Sequence, residues 1–236
     1  MAFLLAGFVK GVIGMGMPTV SLALLLLGMG LPAAVQIVVV PTVVTNVWQA
    51  LIGDGFGRLV RRFHALLLAT AGGVWIGYAV FFRTHPKAMT AVLGIAISVY
   101  ALSGLSGIPL MPRVRRETIA SPVVGLATGM LAGATGNISM PALAYLHRLG
   151  LPRNDMVQML GILFTLGAAM LGLMLAGHGD YSAELLLVSA LAVVPAVLGM
   201  LLGQRVRGRL SERSFRRALF SGLLLIGAHL VWKGIA

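Results

Sequence analysis

The sequence predicts an all-α, polytopic membrane protein arranged as two inverted repeats, each holding one re-entrant helical hairpin and three transmembrane helices. Three observations predict this. Of the 236 residues 58% are hydrophobic and 10% charged, and most charges gather in short clusters between apolar stretches of membrane-spanning length. Two of those stretches, one in each half, are interrupted by Gly and Pro. Glycine motifs also recur in the same order about 120 residues apart.

The apolar segments cover 2–28, 32–52, 63–82, 88–108, 119–146, 152–176, 183–203 and 214–232. In the first, Gly11, Gly14, Gly16 and Pro18 fall close together, and Gly costs about 1 kcal/mol relative to Ala inside a helix and Pro about 3. The helix should break there. The fifth carries the same device between Gly125 and Pro141, with Gly129, Gly133 and Gly136 between them. Unpaired backbone in hydrocarbon costs several kcal/mol unless protein covers it or it lines a cavity, so breaks at membrane depth mark candidate substrate sites.

The halves echo each other through Gly7 and Gly11 with Gly125 and Gly129, Gly30-Leu31-Pro32 with Gly150-Leu151-Pro152, and Thr45 with Thr165. Gly73 and Gly77 correspond on this reading to Gly199 and Gly203. The repeats take residues 1–110 and 119–236, with 111–118 as a cytoplasmic linker.

Counting Lys and Arg favours hairpins over spans for the first and fifth segments. With eight full crossings, the arrangement's alternative, the two sides hold seven and ten cations. With hairpins, one side holds Arg58, Arg61, Arg62, Arg113, Arg115, Arg116, Arg148, Arg153, Arg205, Arg207, Arg209, Arg213, Arg216 and Arg217, fourteen in all, against Arg83, Lys87 and Lys233 on the other. That asymmetry is a positive-inside signature, with arginine-rich loops in the cytoplasm and both termini outside. Each hairpin arm would have about 12 residues, or roughly 18 Å, enough to reach the middle of a ~30 Å core without crossing it.

The chemistry follows from the breaks. A returning arm that starts at a hairpin tip points its free N–H groups and positive dipole end into the protein, which suits an anion. Pro18 and Pro141 fit the first turn of such arms, where a missing N–H costs nothing. Asn137 or Ser139 could cap the second arm, and Gly14 or Gly16 admits close backbone approach in the first. Tight helix packing is the alternative use of such small residues. The candidate substrate-binding set is therefore Lys10, Gly14, Met15, Gly16, Met17, Pro18, Thr19, Thr45, Asn46, Gly133, Thr135, Gly136, Asn137, Ser139 and Thr165. Lys10 is included as the one cation inside an apolar segment away from its ends; its alternative is to snorkel outward. Thr42, Thr45, Asn46 and Gln49 share one helical face, as do Gln158 and Thr165.

Other classes find no support in the residues. The net charge of +12 sits beside membrane segments, where it sets orientation and meets anionic lipid rather than nucleic acid. Cysteine is absent, the five histidines lack metal-type spacing, and no nucleophile and base stand together, so neither cofactor nor catalysis is expected. All six acids lie at segment ends or in loops, so no proton relay or sodium-binding carboxylate is evident. Nothing resembles a cleaved signal peptide, so the first segment is expected to belong to the fold.

The motifs Gly7-xxx-Gly11-xx-Gly14-x-Gly16-x-Pro18 with Gly30-Leu31-Pro32, and Gly125-xxx-Gly129-xxx-Gly133 through Pro141 with Gly150-Leu151-Pro152, resemble the TauE/SafE sulfite exporter family of bacterial inner-membrane carriers. The resemblance covers essentially the whole chain. The first tip departs from it, with Met15 and Met17 where the family commonly shows a denser glycine run. The resemblance implies outward transport of sulfite, a small organosulfonate or a related sulfur anion. Membrane lipids are the other expected partner, and association with further copies is compatible with such a chain.

Overall fold

The computed structural model describes residues 1–83, 86–108, 111, 116–137, 140–209 and 211–235. Among them are eleven α-helices, one 3-10 turn and no strand. The helices are α1 (Ala2–Ile13), α2 (Met17–Leu25), α3 (Leu31–Leu51), α4 (Phe56–Arg62), α5 (His64–Arg83), α6 (Pro86–Ser106), α7 (Glu117–Thr135), α8 (Ala142–Arg148), α9 (Arg153–Gly177), α10 (Ala183–Val206) and α11 (Glu212–Ile235). Six are long and apolar enough to cross a membrane: α3, α6, α7, α9, α10 and α11. A seventh candidate span is the bent pair of α4 and α5, which meet at 73°. Leucines such as Leu187, Leu191 and Leu225 are exposed on these helices, as a hydrocarbon solvent requires.

Both expected breaks are present, and the chain doubles back at each. Gly14 (φ 91°) ends α1 in the left-handed conformation, and Gly16 (φ 95°) starts α2 in the same one, a turn that side chains with a Cβ rarely adopt. Gly16 returns against Val9. The far end of α2 reaches the last turn of α11, where the Lys233 ammonium donates to the Leu26 carbonyl (2.9 Å). At the second break Gly136 (φ 73°) ends α7, and α8 returns beside it, with the Tyr145 and Ser121 hydroxyls 2.7 Å apart.

The second hairpin differs from expectation in its arms. Its outgoing arm α7 has 19 residues and its returning arm α8 only seven, against about 12 for each. The apolar run simply continues through Ala and Thr past Pro122, a proline inside the helix whose missing N–H leaves the Thr118 carbonyl without its helical donor. The connection 53–62 also contains a helix, α4, whose Arg58 and Arg62 pair with Asp155 (2.8 Å) and Glu117 (3.0 Å). Those bridges tie the starts of α9 and α7 to one arginine-rich end.

Each outgoing arm is fastened to a long helix by glycines. A Cβ on Gly11 would run into the Met200 carbonyl, Gly203 and the Gln204 N–H; one on Gly129 would meet the Thr70 carbonyl, Gly73 and the Val74 N–H. Likewise Gly203 faces Phe8, Gly11 and Val12, while Gly73 faces Leu126, Gly129 and Met130. The two crossings, α1 on α10 and α7 on α5, therefore use the same register. Gly203 occupies the place of Gly73, one helical turn from the expected pairing of Gly199 with Gly73 and Gly203 with Gly77. Glycine patterns repeating every four residues fix a register only to within a turn, and the packing decides it.

Candidate functional site

Helix α3 places the first group of polar side chains, and its proline explains how. Pro41 has no N–H, so the Ile37 carbonyl loses its helical donor. The Ser189 hydroxyl of α10 replaces it at 2.8 Å and accepts from Val40 N–H (3.3 Å), while the Tyr181 hydroxyl donates to the Gln36 carbonyl (2.6 Å). With the backbone thus satisfied by α10, the next turn of α3 turns Thr45 and Asn46 toward the first hairpin.

There the Lys10 ammonium donates to Thr45 Oγ1 (3.2 Å) and to Asn46 Oδ1. The Thr45 hydroxyl donates to the Pro41 carbonyl (2.8 Å) and lies 3.3 Å from the Met17 sulfur; the Asn46 amide NH2 donates to the Thr42 carbonyl (2.8 Å). Both side chains thereby aim lone pairs at the ammonium. Lys10 is 4% exposed, so it does not snorkel, and among the described residues its partners are neutral. The carboxylates stand elsewhere: Asp155 and Glu117 in the two ion pairs, Asp180 under the Tyr78 hydroxyl (2.6 Å). Burying a cation without an anion is costly, which makes this position exceptional in the chain.

The two hairpins touch one turn further along. Thr19, in the first turn of α2, donates its hydroxyl to Asn137 Oδ1 (3.1 Å) just past the end of α7. Both are buried, and their separation of 118 residues is the offset of Gly7 from Gly125. Close by in the fold, the Thr42 and Thr165 hydroxyls are buried without a hydrogen-bond partner. Gly161 against Gln49 and Ala50, and Gly172 against Val39, set α3 and α9 antiparallel with Thr165 level with Thr45.

The other expected residues have definite places. Gly14 and Gly16 make the turn, Pro18 sits in the first turn of α2, and Met15 lines a cavity described below. Asn137 does not cap the second arm: α8 begins at Ala142 behind Pro141, and the Ala142 N–H is taken by Thr128 Oγ1 (3.0 Å). Thr128 stands where Lys10 stands in the first half, so one position caps backbone in one hairpin and presents a charge in the other. Thr135 donates to the Leu131 carbonyl (2.6 Å) and accepts from Asn137 N–H (3.3 Å), which closes the end of α7. Gly136 packs on Val35 and Leu22, and Gly133 on the Val74 carbonyl in the α5 crossing, so the latter serves packing. Gln158 also proves structural: its side chain holds the end of α3 through Ala50, Gly53 and Gly55. Ser139, and Arg113 and Arg115 of the linker, lie outside the described residues.

One feature escaped the sequence reading. At the arginine-rich end a cavity of about 580 Å³ opens between α6, α8, α9 and α11. Arg148, Arg153, Arg207, Arg216 and His147 line it, together with Met15 from the first break and Met140 from the second. Burial and the neighbouring Arg216 charge push the His147 imidazole below its ordinary value, so it stays neutral at pH 7. These side chains come from stretches up to 200 residues apart, and no local pattern joins them.

A transmembrane helical scaffold with paired Gly/Pro breaks fits a known family. The profile described as sulfite exporter TauE/SafE matches residues 1–230. The chain belongs to the TauE/SafE family. A probable sulfite/organosulfonate exporter TauE from Cupriavidus necator (strain ATCC 17699 / DSM 428 / KCTC 22496 / NCIMB 10442 / H16 / Stanier 337) is 26% identical over 236 residues, covering 98% of this chain and 88% of that protein. No solved structure matches the chain. As a TauE/SafE member the protein is a membrane transporter.

Proposed function

We propose that the protein exports sulfite or a related small organosulfur anion across the bacterial inner membrane, binding it where the two hairpins meet. The observation that carries this is Lys10: a buried ammonium with neutral partners, whose neighbour Thr45 touches Met17, two residues before the Thr19 that bonds Asn137, on a helix that also carries the unpartnered Thr42 hydroxyl. An oxyanion there would neutralise the charge and accept from hydroxyls that otherwise go unsatisfied. Met17, beside Thr45, gives the site an apolar and polarisable side.

The arginine-rich end faces the cytoplasm on this reading, and the repeats, 1–110 and 119–236, run in opposite directions through the membrane. Matching glycine registers at the α1–α10 and α5–α7 crossings support it. With the cytoplasm negative, each negative charge that leaves releases about 2.3 kcal/mol per 100 mV, so the membrane potential drives export without a coupling ion.

Purified protein in liposomes tests the proposal. Saturable sulfite or short-chain sulfonate flux is expected, abolished by Asn137→Leu and strongly weakened by Lys10→Met. Flux that fails to saturate, or flux indifferent to both substitutions, refutes it and leaves the breaks a packing device.

A further inference from the structure

The cavity at the arginine-rich end carries more than orientation. Cytoplasmic arginines are common in membrane proteins, but these do not simply fringe the surface. Arg58 and Arg62 are engaged by Asp155 and Glu117, whereas among the described residues no carboxylate pairs with Arg148, Arg153, Arg207 or Arg216. The latter four converge on one hollow from the end of α8, the start of α9, the 3-10 turn and α11. Two are held in place: Arg148 donates to the Met111 carbonyl, and Arg216 lies 5.7 Å from the Phe220 ring centre. The far wall is built from Ile13 and Met15 of the first break and Met140 of the second. The hollow therefore leads from solvent to the two breaks in the membrane-embedded helices.

We propose that this cavity is a second anion site, a loading vestibule that captures small oxyanions from the arginine-rich side before they reach the inner site at Lys10. The proposal rests on the export reading above. Guanidinium groups bind sulfonate and sulfite oxygens in a forked geometry, and Arg153, Arg207 and Arg216 are exposed enough to meet an ion in water. Converging like charges also raise the local anion concentration, an effect that salt screens over about 8–10 Å. A volume of about 580 Å³ leaves room for an anion that keeps part of its water, as capture before full desolvation requires.

Flux measured from both faces, in right-side-out and inside-out membrane vesicles, tests this. Arg153→Gln with Arg216→Gln should raise KM for transport starting at the arginine-rich face about tenfold, flatten its salt dependence and leave the maximal rate within twofold. KM from the opposite face should not move. Arg61→Gln with Arg205→Gln removes the same charge near the same end outside the cavity and should leave KM unchanged, while Arg153→Lys with Arg216→Lys should recover most of the loss. Equal KM changes from both faces, a fall in maximal rate alone, or an equal effect of the Arg61 and Arg205 pair overturns the vestibule. Anionic headgroups offer the same oxyanion chemistry; a KM that falls when anionic lipid is replaced by zwitterionic lipid would show a headgroup in the cavity and overturn it too. Absence of saturable flux in the native protein from either face refutes the export reading itself, a result distinct from all of these.

Discussion

Replacing Lys10 by Met keeps the length and apolar stem of the side chain and removes only its charge. An oxyanion centred about 4 Å from the ammonium would attract it by roughly 4 kcal/mol at an effective dielectric of ~20. To receive the anion, the ammonium must give up one of its two present hydrogen bonds, to Thr45 or to Asn46, worth about 1.5 kcal/mol for a charged donor. The balance of about 2.5 kcal/mol corresponds to an affinity loss of roughly 70-fold. Lys10→Met should therefore raise the dissociation constant for sulfite by about that factor, measured by ligand-induced thermal shift or calorimetry in detergent. The unliganded variant should melt no lower than the native protein, because an uncompensated buried cation has been removed. Unchanged affinity, or lost affinity accompanied by a collapse of thermal stability, refutes the assignment of Lys10 as the anion's counter-charge.

The contact between the hairpins should show as a coupling between Thr19→Val and Asn137→Leu: a double-mutant cycle on thermal unfolding should give about 0.6 kcal/mol, and additive effects would mean that the bond contributes nothing. Adjacent glycines of α5 should separate cleanly in the same assay. Gly73→Ala forces a Cβ into the Leu126 carbonyl and should cost about 2 kcal/mol, while Gly72→Ala meets open space and should be neutral or stabilising. Burial and the Arg216 charge make His147 take up its proton at lower pH than an ordinary histidine, so with a sulfonate of constant charge KM for efflux should fall as the medium becomes acid, a drop that His147→Gln removes. The same depressed titration makes the folded state bind that proton less readily than the unfolded chain, so its contribution to stability is lost as the pH falls below the unfolded value. Thr118→Cys and Asn154→Cys, both exposed at the arginine-rich end, should resist an impermeant thiol reagent added outside intact cells; labelling of either would reverse the assigned orientation.

How much of this was legible beforehand depends on range. Pro18, Gly14 and Gly16 announce the first break because their backbone restrictions are local, and the Thr42, Thr45 and Asn46 face follows from helical spacing alone. Lys10 was visible as an anomaly, yet nothing local told whether it turned outward or toward α3. The extent of α7 was misread because the glycines taken as a helix break, Gly125, Gly129 and Gly133, remain helical and instead admit α5. A glycine that breaks a helix and one that admits a neighbour look alike until the neighbour is known. Asn137 was expected to cap its own hairpin, whereas its carbonyl oxygen serves Thr19 across the molecule. The basic cavity was out of reach for the same reason: its arginines are ordinary flanking residues until the fold gathers them.

The glycine crossings also settle what can move. Where α1 lies on α10 and α7 on α5, main chain rests on main chain at the glycines, with no bulky side chain between them at those points. Sliding either pair means lifting over a full helical pitch of about 5.4 Å, so each couple travels as a single strut. The inner limbs are short by comparison, nine residues in α2 and seven in α8, each following a left-handed glycine, and the Thr19 to Asn137 bond joins the first turn of α2 to the end of α7. A change of access between the two faces of the membrane would therefore fall to these short limbs sooner than to the glycine-locked pairs.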